Sequence, residues 1–266
     1  MHLSWLLDPN PVEQLKNCEQ RWQRHFSSPT WYLSVVPELN EMMETLRREP
    51  TAVQDEFKGC LYDFFESQIS RGNIPLGQGS GAFDVDRKEI DTVIIHHTSN
   101  PPGLSLSRLS AIELVRLYAP YFANPTAEGD RHLKGQTICS GHVRKGRQVF
   151  WPYHWIVRKD GRSERLLRDD EIGWHAGNWD MNCRSVAIVL DNDYEYGRPS
   201  DNEILAIARI IVDHYRQTSS RRILGHREVN PRTTCPSEFF MDNHRKGWKS
   251  DLLSLLRGSA DQPSLE

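Results

Sequence analysis

The sequence has no apolar run approaching the roughly 20 residues that a bilayer span requires. Its 266 residues carry 33 Lys and Arg against 36 Asp and Glu, a net charge of −3. The strong basic excess of a general nucleic-acid binder is therefore missing. Cysteine is scarce: five occur, at positions 18, 60, 139, 183 and 235. An odd, scattered set without close pairs argues against a disulfide framework and predicts a reducing compartment. The opening MHLSWLLDPNP lacks a basic leader, holds only a short apolar stretch and meets an early proline, so no secretory signal is expected. Cytoplasmic synthesis follows as an expectation, with release by lysis or non-classical export still open. The glycine cluster GQGSG (77–81) follows no strand and ends in neither GKS nor GKT, so it is not read as a phosphate loop. The length allows one large domain, or a medium domain with a smaller companion.

What is present divides the chain. Val12, Leu15, Trp22 and Phe26, then Val53, Phe57, Cys60, Leu61, Phe64 and Phe65, recur at helical spacing. Asn10-Pro11-Val12-Glu13 offers a helix start, with Asn as cap, Pro in the first turn and Glu reaching back. A helical domain is expected over 1–70, then a Gly/Pro-rich linker over 71–88. After it the pattern changes. DTVIIHHTS (91–99), SVAIVLD (185–191) and RRILGH (221–226) read as strands, and HWIVRKDGRSERLL (154–167) as a hairpin turning at Asp160-Gly161. Residues 106–122, the run 200–217 capped by Ser200, and KSDLLSLLRG (249–258) read as helices. The expected fold class is α/β, a mixed central sheet flanked by helices over 89–258, preceded by the small helical domain and followed by a tail at 259–266.

One loop suggests chemistry. ILGHREVNPRTTCPS (223–237) sets His226 nine positions before Cys235. Neutral imidazole and thiolate are zinc ligands, and a catalytic zinc takes three protein ligands and keeps a fourth position open. The third has to come from elsewhere, and Ile94-Ile95-His96-His97-Thr98 is the best donor segment. Adjacent strand residues face opposite ways, so one of His96 and His97 reaches a metal while the other packs or binds on the far face.

VIIHHTS, followed far downstream by GHREV and TTCPS, resembles the zinc-dependent N-acetylmuramoyl-L-alanine amidases of the type-2 amidase and peptidoglycan-recognition-protein family. Between these motifs, PYHWIVRKDG and IGWHAGNWDMNCRSVAIVL match the family's Tyr-His-aromatic hairpin, its His-Ala-Gly element and its Asn-x-x-Ser strand start. Four ordered motifs over about residues 89–256 carry the resemblance; the first 88 residues lie outside it. It implies Zn²⁺ held by His96, His226 and Cys235, and cleavage of the amide between the lactyl group of N-acetylmuramic acid and L-alanine. Peptidoglycan or muropeptides would then be the partners, with no nucleic acid and no membrane span.

The resemblance also implies a catalytic Tyr153 beside the metal. Thr233 matches the position where animal members have Thr and phage lysozyme-type members have Lys, which implies a hydrogen-bond donor to the oxyanion. His175 and Asn182 match positions near the substrate groove, and Thr98 shares the His96 face. His97 and His154, on the opposite sides of their strands from His96 and Tyr153, read as structural or as supports behind the site residues. One departure stands out: the family's cytoplasmic recycling branch has a catalytic Glu where this chain has Val189. Asp191, further along the same strand face, is the reserve carboxylate. Segment 123–150 carries Arg131, Lys134, Arg144, Lys145 and Arg147, and reads as a solvated loop or as a flap meeting carboxylates of the wall. Two other functions fit the motifs: a module that binds muramyl peptide without cutting it, and a zinc hydrolase acting on another amide. Non-cutting members generally lose a zinc ligand, usually the Cys, and here all three are present.

Overall fold

The computed structural model describes residues 11–78, 82–124, 133–218, 222–241 and 247–260. Asn10, the glycines at 79 and 81, Arg131 and the tail from 261 lie outside these described residues. The chain forms two compact units, Met1–Gly81 with Ser105–Phe150, and Ala82–Leu104 with Trp151–Glu266. A linear division does not anticipate the return of residues 105–150 to the first unit. Periodicity reveals that a helix has a face to bury, but not which element buries it.

The first unit contains α1 (Pro11–His25), α2 (Tyr32–Leu46), α3 (Thr51–Ser70), α4 (Leu106–Glu113) and α5 (Ala119–Ala123). Its centre is aromatic. Trp22, Phe26, Trp31, Phe64 and Phe65 are buried with ring centroids 5.3–6.2 Å apart, mostly tilted or edge-on as ring quadrupoles prefer. The Trp22 indole donates to Glu38, so the ring enters the core without an orphaned N–H. Tyr32 packs edge-on to Phe122, while its hydroxyl donates to the Gln136 carbonyl and accepts the Gly135 amide. The single helix expected over 106–122 is instead α4, a π-helical stretch over Leu114–Tyr118, and α5. Pro120 has no N–H to donate; it falls in the first turn of α5, where that loss is tolerated. A short hairpin, β2 (Val143–Arg144) with β3 (Arg147–Gln148), exposes Lys145 and Arg147.

The second unit holds a five-stranded sheet, built from β1 (Thr92–His97), β4 (Trp155–Val157), β5 (Ser163–Arg165), β6 (Ser185–Leu190) and β7 (Ile223–Gly225) in the order β5-β4-β6-β1-β7. Four strands run parallel, and β5 pairs antiparallel with β4 at one edge. The mixed sheet flanked by helices is thus present. Both central strands are buried along their whole length, as expected for a parallel pair. Val93 and Ile95 of β1 join Val186, Ile188 and Leu190 of β6 in one cluster with Ile204, Ile207 and Ile211 of α7 (Asp201–His214) and Leu252 of α9 (Trp248–Ala260). α7 begins with a reciprocal cap: the Ser200 hydroxyl accepts the Glu203 amide, and the Glu203 carboxylate accepts the Ser200 amide. Among the described residues no helix is long and apolar enough to cross a membrane.

His154 fastens two strands. Its Nδ1 accepts the Ala187 amide of β6 at 3.1 Å, and its Nε2 donates to the Glu171 carbonyl at 2.9 Å. Both nitrogens are used by the neutral ring, and burial, aided by the nearby Arg87 charge, holds its pKa well below the ordinary 6.5. An unfolded His154 takes up a proton below about pH 6.5 and the folded one does not, so the unfolded state binds more protons as pH falls and stability drops with it. The urea midpoint of the metal-free protein is therefore expected to be lower at about pH 5 than at about pH 7. Equal midpoints would contradict a neutral, buried His154.

Candidate metal centre

Strand alternation assigns the two adjacent histidines. Ile95 points into the cluster beneath α7 and α9, so His97 shares that side and His96 the other. The hydrogen bonds agree. His97 Nδ1 accepts the Tyr194 amide at 2.9 Å and its Nε2 lies 2.9 Å from the Ser99 hydroxyl, which makes it a structural ring. His96 faces the Cys235 thiol, with Nδ1 3.7 Å from Sγ. Among the described residues, His96, His226 and Cys235 form a group whose ligand atoms all lie within 4.8 Å of one another.

The GHRE sequence builds one side of this group residue by residue. Gly225 ends β7 where no side chain fits: a Cβ there would lie 2.6 Å from the Phe240 ring and 2.8 Å from Pro236. That close approach presses the Cys235-Pro236 arm onto the strand just before His226. His226 opens the short helix α8 (His226–Val229). The Arg227 amide donates to the Cys235 carbonyl at 2.7 Å, and its guanidinium donates to the Ser237 carbonyl. Glu228 accepts the Gly225 amide and pairs with Lys249 of α9. The His97 amide donates to Cys235 Sγ at 3.4 Å, a contact that favours thiolate.

Electrostatics keep the imidazoles neutral. Burial first, and then the neighbouring His226 and His175, hold His96 well below its ordinary pKa. His226 is pushed down to about 4, chiefly by burial, against a hydrogen bond to the Ala176 carbonyl that raises it. Its Nε2 is buried without a hydrogen-bond partner, so the Ala176 bond uses Nδ1. A buried nitrogen lone pair with nothing to accept is costly unless something electrophilic fills the gap. Two neutral nitrogens and one sulfur are the donor set that zinc prefers. The 3.7 Å between His96 Nδ1 and Cys235 Sγ is close to the separation of two ligands on one tetrahedral zinc, roughly 3.5 Å. The residues present fit the ion.

The remaining expected residues have defined places. Tyr153 packs on His96 with centroids 5.2 Å apart. Its backbone is set by Gly173, where a Cβ would lie 2.0 Å from the Pro152 carbonyl oxygen. The Thr233 hydroxyl accepts the Cys235 amide at 3.2 Å. Thr98 directs its hydroxyl to the Asn192 carbonyl at 3.2 Å. Asn182 spends its side-chain oxygen on the amides of His175 and Ala176, which fixes the His-Ala-Gly turn. His175 is buried behind His96, its Nδ1 3.0 Å from His96 Nε2. Val189 lies beside His96 in the β1–β6 register and is fully buried, so an apolar side chain and no carboxylate stands there. Asp191 does not serve as a reserve base: it is buried, ion-paired with Arg158 at 2.7 Å, and accepts the amides of Gly103 and Leu104.

With the geometry in place, comparison with known proteins assigns the family. Residues 86–238 match the family Amidase_2, described as N-acetylmuramoyl-L-alanine amidase. The chain belongs to this family. This amidase-family chain is 28% identical over 89 residues to an endolysin of Klebsiella phage KP32, a match covering 32% of the chain and 58% of that protein. It therefore spans little more than half the length of that relative. Among solved structures it is similar to the N-acetylmuramoyl-L-alanine amidase LysC from Clostridium intestinale URNW, with 15% identity, a TM-score of 0.43, and coverage of 69% of this chain and 95% of the other. Drosophila PGRP-LB is similar at 18% identity and a TM-score of 0.38, with 69% and 91% covered.

Sequence reasoning gave no role to Gly225, Gly173 or Arg227, and took Ser185 only as the end of the Asn-x-x-Ser motif. The two glycines carry a usable signal, since each interrupts an apolar segment beside a motif histidine, where a close backbone approach is a standard reason for Gly. Gly225→Ala is expected to destabilise the amidase-family chain by about 1–3 kcal/mol, because Phe240 and Pro236 must both give way. Urea unfolding measures this, and an unchanged midpoint would show that the Cys235 arm is not pressed against the strand.

Proposed function

We propose that this chain is a zinc-dependent N-acetylmuramoyl-L-alanine amidase that cuts the amide between the muramic acid lactyl group and L-alanine of peptidoglycan or muropeptides. The observation that carries this reading is the convergence of His96, His226 and Cys235, with the His226 Nε2 lone pair buried and unused. Family membership over residues 86–238 supports the choice of bond. When bound, zinc supplies a Lewis acid that polarises an amide carbonyl and acidifies water.

The chain's own residues do the rest. Tyr153, packed on the His96 ring, orients the attacking water and the oxygen of the tetrahedral carbon. Thr233 accepts the Cys235 amide through its oxygen, which leaves its own proton to donate to the developing oxyanion. Thr donates one hydrogen bond without adding positive charge. Because Val189 is apolar and Asp191 is committed to Arg158, neither of these strand positions provides a carboxylate base, and the weight falls on Tyr153 and Thr233.

Digestion of purified muropeptide, followed by mass spectrometry, tests the reading. Peptides with a free N-terminal L-alanine are the expected products; zinc-loaded protein that binds muropeptide without releasing them would favour the recognition module instead. Cys235→Ser or His226→Ala is expected to reduce turnover to background and to lower zinc content; full turnover in both would refute the ligand set. Tyr153→Phe should lower kcat by about 100- to 1,000-fold with little change in KM, as for loss of one oxyanion-type donor. An undiminished kcat would remove Tyr153 from the chemistry.

A further inference from the structure

We propose that His175 and Ser185 form a positioning relay that keeps the His96 proton on Nε2 and so presents His96 Nδ1 to the Cys235 side as a bare lone pair. Hydrogen-bond direction can be followed along the relay from its far end. The Ser185 hydroxyl lies 2.5 Å from the Met181 carbonyl, an acceptor only, so its single proton points there. The Ser185 oxygen therefore accepts at its second contact, 3.2 Å away, and His175 Nε2 must be the donor. A neutral His175 with its proton on Nε2 has an unprotonated Nδ1, which accepts from His96 Nε2 at 3.0 Å. That places the only proton of neutral His96 on Nε2. Nδ1, 3.7 Å from Cys235 Sγ, is left bare.

Secondary structure sets the origin of the relay. Ser185 follows α6 (Trp179–Arg184) and begins β6, so its hydroxyl meets the Met181 carbonyl, one of those left over at a helix end. Arg87 takes the carbonyls of Asn182, Cys183 and Ser185, leaving that of Met181 to the Ser185 hydroxyl. His175 is held by its own amide, bonded to Asn182 Oδ1. The adjacent Ala176 carbonyl holds the other imidazole, His226. One turn thus fixes the tautomers of both imidazoles, first through a ring and then through a carbonyl. Without the Ser185 hydroxyl, buried His175 would be freed to carry its proton on Nδ1. Two facing N–H groups cannot persist, so His96 would shift its proton to Nδ1, on the side where a metal would bind.

The inference rests on the zinc reading, and two measurements separate them. In metal-free wild-type protein, ¹⁵N-histidine NMR is expected to show His96 protonated on Nε2. Ser185→Ala should move that proton toward Nδ1 and weaken zinc binding by about 10- to 100-fold, the usual effect of losing a partner behind a metal ligand. Ser185→Thr, which retains the hydroxyl, should restore both. A purely structural Ser185 would lower Tm without changing the tautomer. A wild-type His96 protonated on Nδ1, or unchanged zinc affinity in folded Ser185→Ala, would overturn the relay. Wild-type protein that takes up no zinc would overturn the metal reading alone, because the metal-free spectrum still decides the tautomer.

Discussion

A buried neutral imidazole has one proton to give and one lone pair to place, and the second unit is organised around how each ring meets that requirement. Burial makes the charged form expensive, so each ring keeps a definite tautomer and each nitrogen needs a partner. His154 uses both nitrogens on backbone groups, and His97 uses one on an amide and the other on a hydroxyl. Those rings are complete and hold strands together. His226 has an unused Nε2, and the remaining nitrogen of His96 faces sulfur. An Nε2 buried without a hydrogen-bond partner sets His226 apart from His97 and His154.

The same economy explains the small residues around the centre. Gly225 and Gly173 occupy points where a backbone or a ring comes too close for any Cβ, and each lies next to a segment carrying a motif side chain. Arg227 and Asn182 then spend their polar atoms on the backbone of neighbouring turns, not on solvent. The placement of His175, His226 and Cys235 comes from these contacts, because short loops such as 172–178 and 230–237 have no regular ladder to hold them. Val189 fits this pattern as well: beside His96 the sheet presents a methyl-bearing wall, which keeps the imidazole dry.

Much of this was legible in the sequence. The unbroken apolar runs of β1 and β6 announced buried parallel strands, Asp160-Gly161 announced the hairpin, and Ser200 with Glu203 announced the start of α7. Strand alternation set His96 and His97 on opposite faces, and the structure brings His96, the one the family resemblance pointed to, together with His226 and Cys235. The return of residues 105–150 to the first unit was not legible, because an amphipathic stripe does not name its partner. Neither was the work of Ser185, Thr98 and Asn182. A short polar side chain at a strand end is satisfied locally in many ways, and only coordinates show that Ser185 points to a helix-end carbonyl while Asn182 grips two amides.

The backbone passes from one unit to the other after residues 81, 104 and 150. The leading helices are therefore not an appendage that could be trimmed away. Leu109 and Ile112 of α4 are buried within the same compact body as Phe57, Leu61 and Phe65 of α3, although residues 71–105, with an entire strand of the other unit, separate the two helices in the chain. Cutting at the first crossing would leave half of a hydrophobic interior facing water. The two segments of this body have to be present together for its interior to close.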